Sequence, residues 1–172
     1  DVVRGDARHM PFIPTASADV TLLLGPLYHL IGDEEKLRAL NEAKRVTKPG
    51  GLIFVAYLMN KYSILSYCFD EDRIEGLLER GVVDKDFHIQ AQDDELYDYV
   101  RIDDINRLDE NAGLERMTIF SPDGASDYMR TRLNRMSDKT FVRFIEYQKV
   151  ISERADLIGA GSHVVDVVRV PL

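Results

Sequence analysis

The sequence predicts an α/β fold, a mostly parallel sheet with an antiparallel strand pair near the C-terminus. Three observations predict it. Two short, nearly unbroken apolar runs, residues 19–24 and 52–58, flank a segment with helical spacing. Two β-branched runs, 114–121 and 164–170, come late in the chain. Strand, helix and strand in immediate succession form a crossover unit that joins parallel neighbours.

Each element has its local reason. Val2-Val3 reads as the end of a strand and Arg4-Gly5-Asp6-Ala7 as the turn leaving it. The run Asp19-Val20-Thr21-Leu22-Leu23-Leu24 stops at Gly25-Pro26, as expected of a strand buried on both faces. Asp33-Glu34-Glu35 opens a helix where the macrodipole favours acids, and Leu37, Leu40, Ala43 and Val46 give it an apolar stripe. Lys44, Arg45 and Lys48 crowd its end, and Pro49-Gly50-Gly51 stops it before Leu52–Leu58. Residues 59–100 read as an insertion, with one helical stretch near Asp72–Arg80 and an acidic segment at Asp93-Asp94-Glu95. Asp103–Asn111 is expected as a helix closed by Ala112-Gly113, with Ile105 and Leu108 inward. Two amphipathic helices are expected around Ala125–Met136 and Lys139–Ala155, the second with Phe141, Phe144, Ile145 and Val150 on its apolar side. Gly159-Ala160-Gly161 breaks the pattern before the last strand.

Composition narrows the function. A chain of 172 residues suits one domain, 1–172, containing the 59–100 insertion as a lid or substrate element. No apolar run reaches the ~18–20 residues needed to cross a bilayer, so no membrane partner is expected. Thirty acids against 22 Lys and Arg, a net charge of −8, work against a nucleic-acid partner, because a polyanion needs a basic surface. Arg130, Arg132, Arg135 and Lys139 come nearest to a basic stripe and read as a solvated helix face. The lone Cys68 excludes an intrachain disulfide framework and fits a reducing, cytoplasmic setting. Four histidines without short ligand spacing argue against a structural metal site, and no metal is expected. The pairs Asp93-Asp94 and Asp103-Asp104 are sequence neighbours whose side chains point apart, so they read as caps and solvated faces. Dinucleotide, Walker and nucleophile-elbow signatures are absent.

What remains is an ordered series. It runs Gly5-Asp6-Ala7-Arg8-His9-Met10-Pro11-Phe12, then Ala18-Asp19-Val20, then Leu24-Gly25-Pro26-Leu27-Tyr28-His29-Leu30, and then Glu42-Ala43-Lys44-Arg45-Val46-Thr47-Lys48-Pro49-Gly50-Gly51. This progression resembles the class I S-adenosylmethionine-dependent methyltransferases, the small-molecule group in particular. The resemblance is strong over residues 4–58, fair over 97–124 and 138–170, and weak across 62–96. It implies a Rossmann-like class I methyltransferase fold that lacks its N-terminal portion. A complete member would open with a strand, a glycine loop, a helix and a second strand ending in an acid that grips the ribose.

The resemblance further implies S-adenosyl-L-methionine as cofactor. Asp6 would accept from the adenine amine, and the backbone at Ala7 and Arg8 would address the adenine edge. A carbonyl at Leu24 or Gly25 would receive the methionine ammonium, and Leu27 would pack near the adenine. The alternative for Asp6 is a turn residue that satisfies local amides. His29 is the catalytic candidate, since its imidazole suits a base near neutrality, although methyl transfer depends first on orientation. The other reading of His29 is packing or capping. Tyr28, Tyr62, His88 and Arg101 are the substrate-side candidates, while His9 and His163 read as structural. The tyrosines of the insertion suit stacking on a planar or cationic substrate, or else lid packing. Arg101 and Ser121-Pro122-Asp123-Gly124 depart from the family pattern, which bears on the substrate rather than the fold. The expected activity is methyl transfer to a small-molecule acceptor, this chain being a fragment inactive alone. The alternatives are a non-catalytic methyltransferase-like partner subunit and, less well supported, a nicotinamide-dependent enzyme. An exposed strand edge is expected to favour self-association.

Overall fold

The computed structural model describes residues 2–92 and 95–172, so the expected acid pair Asp93-Asp94 lies outside the described residues. Its first elements follow the apolar pattern closely. Strand β1 (Ala18–Leu23) leads through a 3-10 turn at Pro26–His29 into helix α1 (Asp33–Val46), which ends at strand β2 (Thr47–Leu58). The helix stops three residues before Pro49 because the residue preceding a proline is pushed out of the helical region. Helices α2 (Asn60–Ser63) and α3 (Ile74–Glu79) follow, with a π-helical turn at Ile64–Phe69 between them. Helix α4 (Ile102–Ala112) is closed by Gly113 in the left-handed conformation and leads to strand β3 (Glu115–Phe120). Short helix α5 (Arg130–Leu133), longer helix α6 (Asp138–Ile151) and strand β4 (His163–Arg169) complete the chain.

The sheet has the order β1-β2-β4-β3. β1 and β2 pair in parallel, as the crossover predicts, and β3 pairs antiparallel with β4. The expectation of a mostly parallel sheet needs correction in proportion. β4 inserts between β2 and β3 and runs against both, so one pairing is parallel and two are antiparallel. The α/β class stands.

One face of the sheet carries the core. Ile53, Val55 and Tyr57 of β2 alternate inward with Val164 and Val168 of β4, against Ala39, Leu40 and Ala43 of α1 and Ile105 and Leu108 of α4. The opposite face differs from expectation. β1 was expected to be buried on both sides, yet Val20 and Leu22 are exposed, because no helix among the described residues lies over them and β1 is the edge strand. A second, smaller core (Ile64, Cys68, Ile74, Leu77, Val83, Ile89) holds the 59–100 insertion together. Lys36, fully buried on α1, donates 2.7 Å to the Leu30 carbonyl and pairs with Asp98, pinning the end of that insertion to α1.

The region after β3 also departs from the pattern. The helix expected over Ala125–Met136 is reduced to a 3-10 turn at Asp127–Met129 and the four residues of α5, because Asp123 and Asp127 are drawn onto the residues preceding and opening β4. α6 forms as expected with Ser137 as its N-cap, but Phe141, Ile145 and Val150 of its apolar side remain exposed. Among the described residues, no helix is long and apolar enough to cross a membrane.

Candidate active site

The pairing directions place the C-terminal ends of β1, β2 and β3 and the N-terminal end of β4 at one end of the sheet. In open α/β sheets, ligands bind beyond the carboxyl ends of the strands. Two groups of side chains lie along β1 and just past its end.

The first is a groove of about 670 Å³ between the Gly5–Ile13 segment and β1, reaching from Ala18 to Pro26 and to Ala43 and Val46 of α1. Val20, Leu22, Met10, Phe12 and Pro26 give it apolar walls, and Asp6 and Ala7 stand at its border. The Asp6 turn is held from two sides. The Asp6 carboxylate accepts from the Arg8 backbone N–H (2.9 Å) and from its guanidinium (2.6 Å), and Arg8 continues to Glu35 on α1. The Arg8 hydrogen bonds hold the Asp6 carboxyl down at about 2. Glu42 and Arg45 form the second anchor. Glu42 accepts from the Met10 N–H at 2.6 Å, while Arg45 donates to the carbonyls of Met10 and Ile13. Arg45 keeps the Glu42 carboxyl at about 2. The Glu-x-x-Arg spacing thus positions the segment that carries Asp6, a role the sequence pattern alone does not disclose.

The second group is aromatic and acidic. Tyr28 and His29, just past β1, pack together with Tyr97 of the insertion, and the Tyr28 ring lies 6.4 Å from His163 at the start of β4. His29 Nδ1 is 3.0 Å from the Leu96 carbonyl. A carbonyl only accepts, so Nδ1 is the donor in this contact. Behind Tyr28, the Asp123 carboxylate receives His163 Nδ1 at 2.6 Å and the Ser162 hydroxyl at 2.5 Å. Ser162 also reaches Asp127. The His163 imidazole is raised above its usual range, first by the Asp123 hydrogen bond. Burial pushes the Asp123 carboxyl up, but the bonds from His163 and Ser162 outweigh it and carry that carboxyl below its ordinary range. Asp123, Asp127 and His163 bring one donor atom each within 4.8 Å of one another. Ser162 and Nδ1 already satisfy those atoms internally, so the cluster reads as a hydrogen-bonded network rather than a cation site.

The remaining candidates separate. Leu27 lies fully buried in the core, whereas Leu24 is half-exposed beside Gly25 just past β1. Tyr62 packs edge-on to Tyr128, one residue from Asp127, with ring centroids 5.1 Å apart. His88 and Arg101 sit at the seam between the insertion and α4. His88 Nε2 is 3.4 Å from the Tyr99 carbonyl, and Arg101 donates to the Asp86 carbonyl at 2.6 Å while its backbone N–H is capped by Asp104. Asp123, Asp127, Ser162 and His163 were not singled out as site residues. Their signal was the unusual Ser-Pro-Asp-Gly after β3 and the Ser-His that opens β4.

A family model described as a methyltransferase domain matches residues 1–55, the segment that builds the groove, α1 and most of β2. This is a class I S-adenosylmethionine-dependent methyltransferase fold. The methyltransferase fold recurs in solved structures of low identity. A S-adenosylmethionine-dependent methyltransferase from Methanosarcina mazei aligns with a TM-score of 0.55 at 11% identity, over 98% of this chain and 66% of its own. One from Thermotoga maritima, described as a possible histamine N-methyltransferase, aligns at 0.54 and 18%, over 98% and 63%. The [4+2]-cyclase SpnF aligns at 0.52 and 14%, over 98% and 54%. The chain therefore spans less than two thirds of the length of these structures. No curated protein matches it. The cofactor that belongs with this family and fold is S-adenosyl-L-methionine. The groove offers one end of that molecule apolar walls that suit a flat base, while the Asp6 oxygens at its border are engaged by the Arg8 backbone N–H and guanidinium.

Proposed function

We propose that this chain takes part in S-adenosylmethionine-dependent methyl transfer to a small-molecule acceptor. The observation that carries the reading is a groove along β1 bordered by the Asp6 carboxylate, with an aromatic group centred on Tyr28 just past that strand's end. When bound, the cofactor supplies an electrophilic methyl group on a sulfonium. The chain's own residues do the rest. Asp6 and the backbone at Ala7 and Arg8 hold the adenine edge, and the residues after β1, Leu24 and Gly25, face the methionine ammonium. Tyr28 and His29 orient the acceptor, with Tyr62 on its far side. Net charge supports a small acceptor over a polyanion, since −8 repels a phosphate backbone. Fold likeness alone would not carry this reading, because one neighbour with the same architecture is a cyclase.

Isothermal titration with S-adenosylmethionine tests it, on this chain and on the product of its complete reading frame. The described residues offer only the adenine edge and the ammonium, and each polar group left unpaired on a ligand costs about 1–3 kcal/mol. Weak binding by the 172-residue chain, lost in Asp6→Ala, and tighter binding by the complete product are the expected results. Absence of binding by both would refute the reading.

A further inference from the structure

We propose that Asp123 and His163 form the general-base pair on the acceptor side of this site, and that the acceptor is therefore a protic nucleophile, a phenol or a primary or secondary amine. The inference rests on the methyl-transfer reading and adds to it the acceptor's chemical class and the group that takes its proton.

The geometry is that of an oriented base. A catalytic imidazole needs one nitrogen fixed by an acceptor and the other directed to the substrate. His163 Nδ1 lies 2.6 Å from the Asp123 carboxylate, and among the described residues its Nε2 has no hydrogen-bond partner. The carboxylate is itself held in place. It receives the Ser162 hydroxyl at 2.5 Å, and the Ser121 hydroxyl and the His163 backbone N–H at 3.4 Å. Gly161 makes room for this arrangement, since a Cβ there would come within 2.8 Å of the Asp123 carboxylate and 2.7 Å of the Gly124 carbonyl. The pair is neither sealed in the core nor loose on the surface: the His163 side chain is 39% exposed and that of Asp123 18%. It stands at the sheet end that holds Tyr28 and His29, with the His163 ring edge-on to Tyr28. His29, by contrast, is fixed by the Leu96 backbone carbonyl rather than by a carboxylate.

The step balances without a further reagent. The acceptor's N or O forms a bond to the methyl carbon as the carbon–sulfur bond breaks, leaving a neutral thioether. The acceptor's proton passes to His163 Nε2, the imidazolium is stabilised by Asp123, and the proton then leaves to solvent. The titratable groups facing His163 are Asp123 and Asp127 from the segment after β3 and Tyr28 from the turn after β1, with Arg130 paired to Asp127. The two carboxylates hold the imidazole's proton more tightly, so the rate should fall on the acid side at a pH above that of a free imidazole.

Two measurements test the proposal. In the 172-residue chain, ¹⁵N chemical shifts of the imidazole report its neutral tautomer. Nδ1–H, with a titration point that drops in Asp123→Asn, is expected, whereas Nε2–H, with Nδ1 accepting from Ser162, would overturn the assignment. In the complete reading-frame product, release of S-adenosylhomocysteine is followed against pH with a panel of phenols and amines. His163→Gln should lose about 10²-fold or more in kcat. Asp123→Asn should move the acid limb to lower pH, and His29→Gln should leave that limb in place. A His163→Gln protein with the parent's rate and acid limb would refute the base. If no acceptor is methylated by the parent while it binds the cofactor, the methyl-transfer reading fails separately, and the tautomer decides the pair.

Discussion

Asp109→Asn should flatten the pH dependence of stability between about pH 5 and pH 8. Asp109 on α4 and Asp166 on β4 are 6% and 0% exposed, and both carboxylates lie against the one guanidinium of Arg116, at 2.6 and 2.8 Å. Two buried carboxylates facing one cation cannot both ionise without cost, so Asp109 is held well above its ordinary range, first by burial and then by the charge of Asp166. The folded protein therefore keeps a proton that the unfolded chain releases near pH 4. A carboxyl raised in the folded state favours folding at low pH and loses that benefit as pH rises toward its folded value. The slope is up to about 1.4 kcal/mol per pH unit for one proton, so the two units from pH 5.5 to 7.5 are worth up to about 2.7 kcal/mol. Asparagine keeps the shape, accepts from Arg116 and removes the proton. His163, also raised, destabilises in the same direction above its unfolded value, but it cancels when variant and parent are compared. Urea unfolding of both proteins at pH 5.5, 6.5 and 7.5 gives the difference directly. The variant should gain on the parent steadily as pH rises, and a difference that stays constant with pH would refute the shared-proton account.

Leu40→Asp should unfold the chain, since Leu40 has no exposure on the face of α1 that meets the sheet, and an unpaired buried charge costs several kcal/mol against roughly 5–15 in total. A melting temperature within a few degrees of the parent by circular dichroism would show that face to be misplaced. Gly51→Ala should destabilise by about 1–3 kcal/mol, because its Cβ would meet the Asp19 carbonyl at 2.8 Å and the Lys48 carbonyl at 2.9 Å, seen as a lower urea midpoint. On the open face of edge strand β1, Leu22→Lys should suppress concentration-dependent association in sedimentation, which Val20 and Leu22 are expected to drive in the parent.

The sequence by itself determined the elements whose signals are local. Apolar runs, the acid-led and base-ended helix and the Pro-Gly-Gly stop placed β1, α1 and β2 within a few residues, and the β-branched run at 164–170 placed β4. The ordered motifs also picked out the Asp6 turn and the Tyr28-His29 segment, which flank β1 in the chain. Tertiary structure decided everything that depends on partners distant in sequence. Whether Val20 and Leu22 are covered depends on what lies over the sheet, which periodicity does not encode. Leu27 reads from its motif as a ligand neighbour, but the 3-10 turn after β1 rotates it into the core. His163 is one of four histidines without a motif, and it becomes an oriented imidazole only because β4 runs antiparallel between β2 and β3. That topology sets its ring against Asp123, 40 residues earlier in the chain, and such a long-range pairing leaves no local pattern to read.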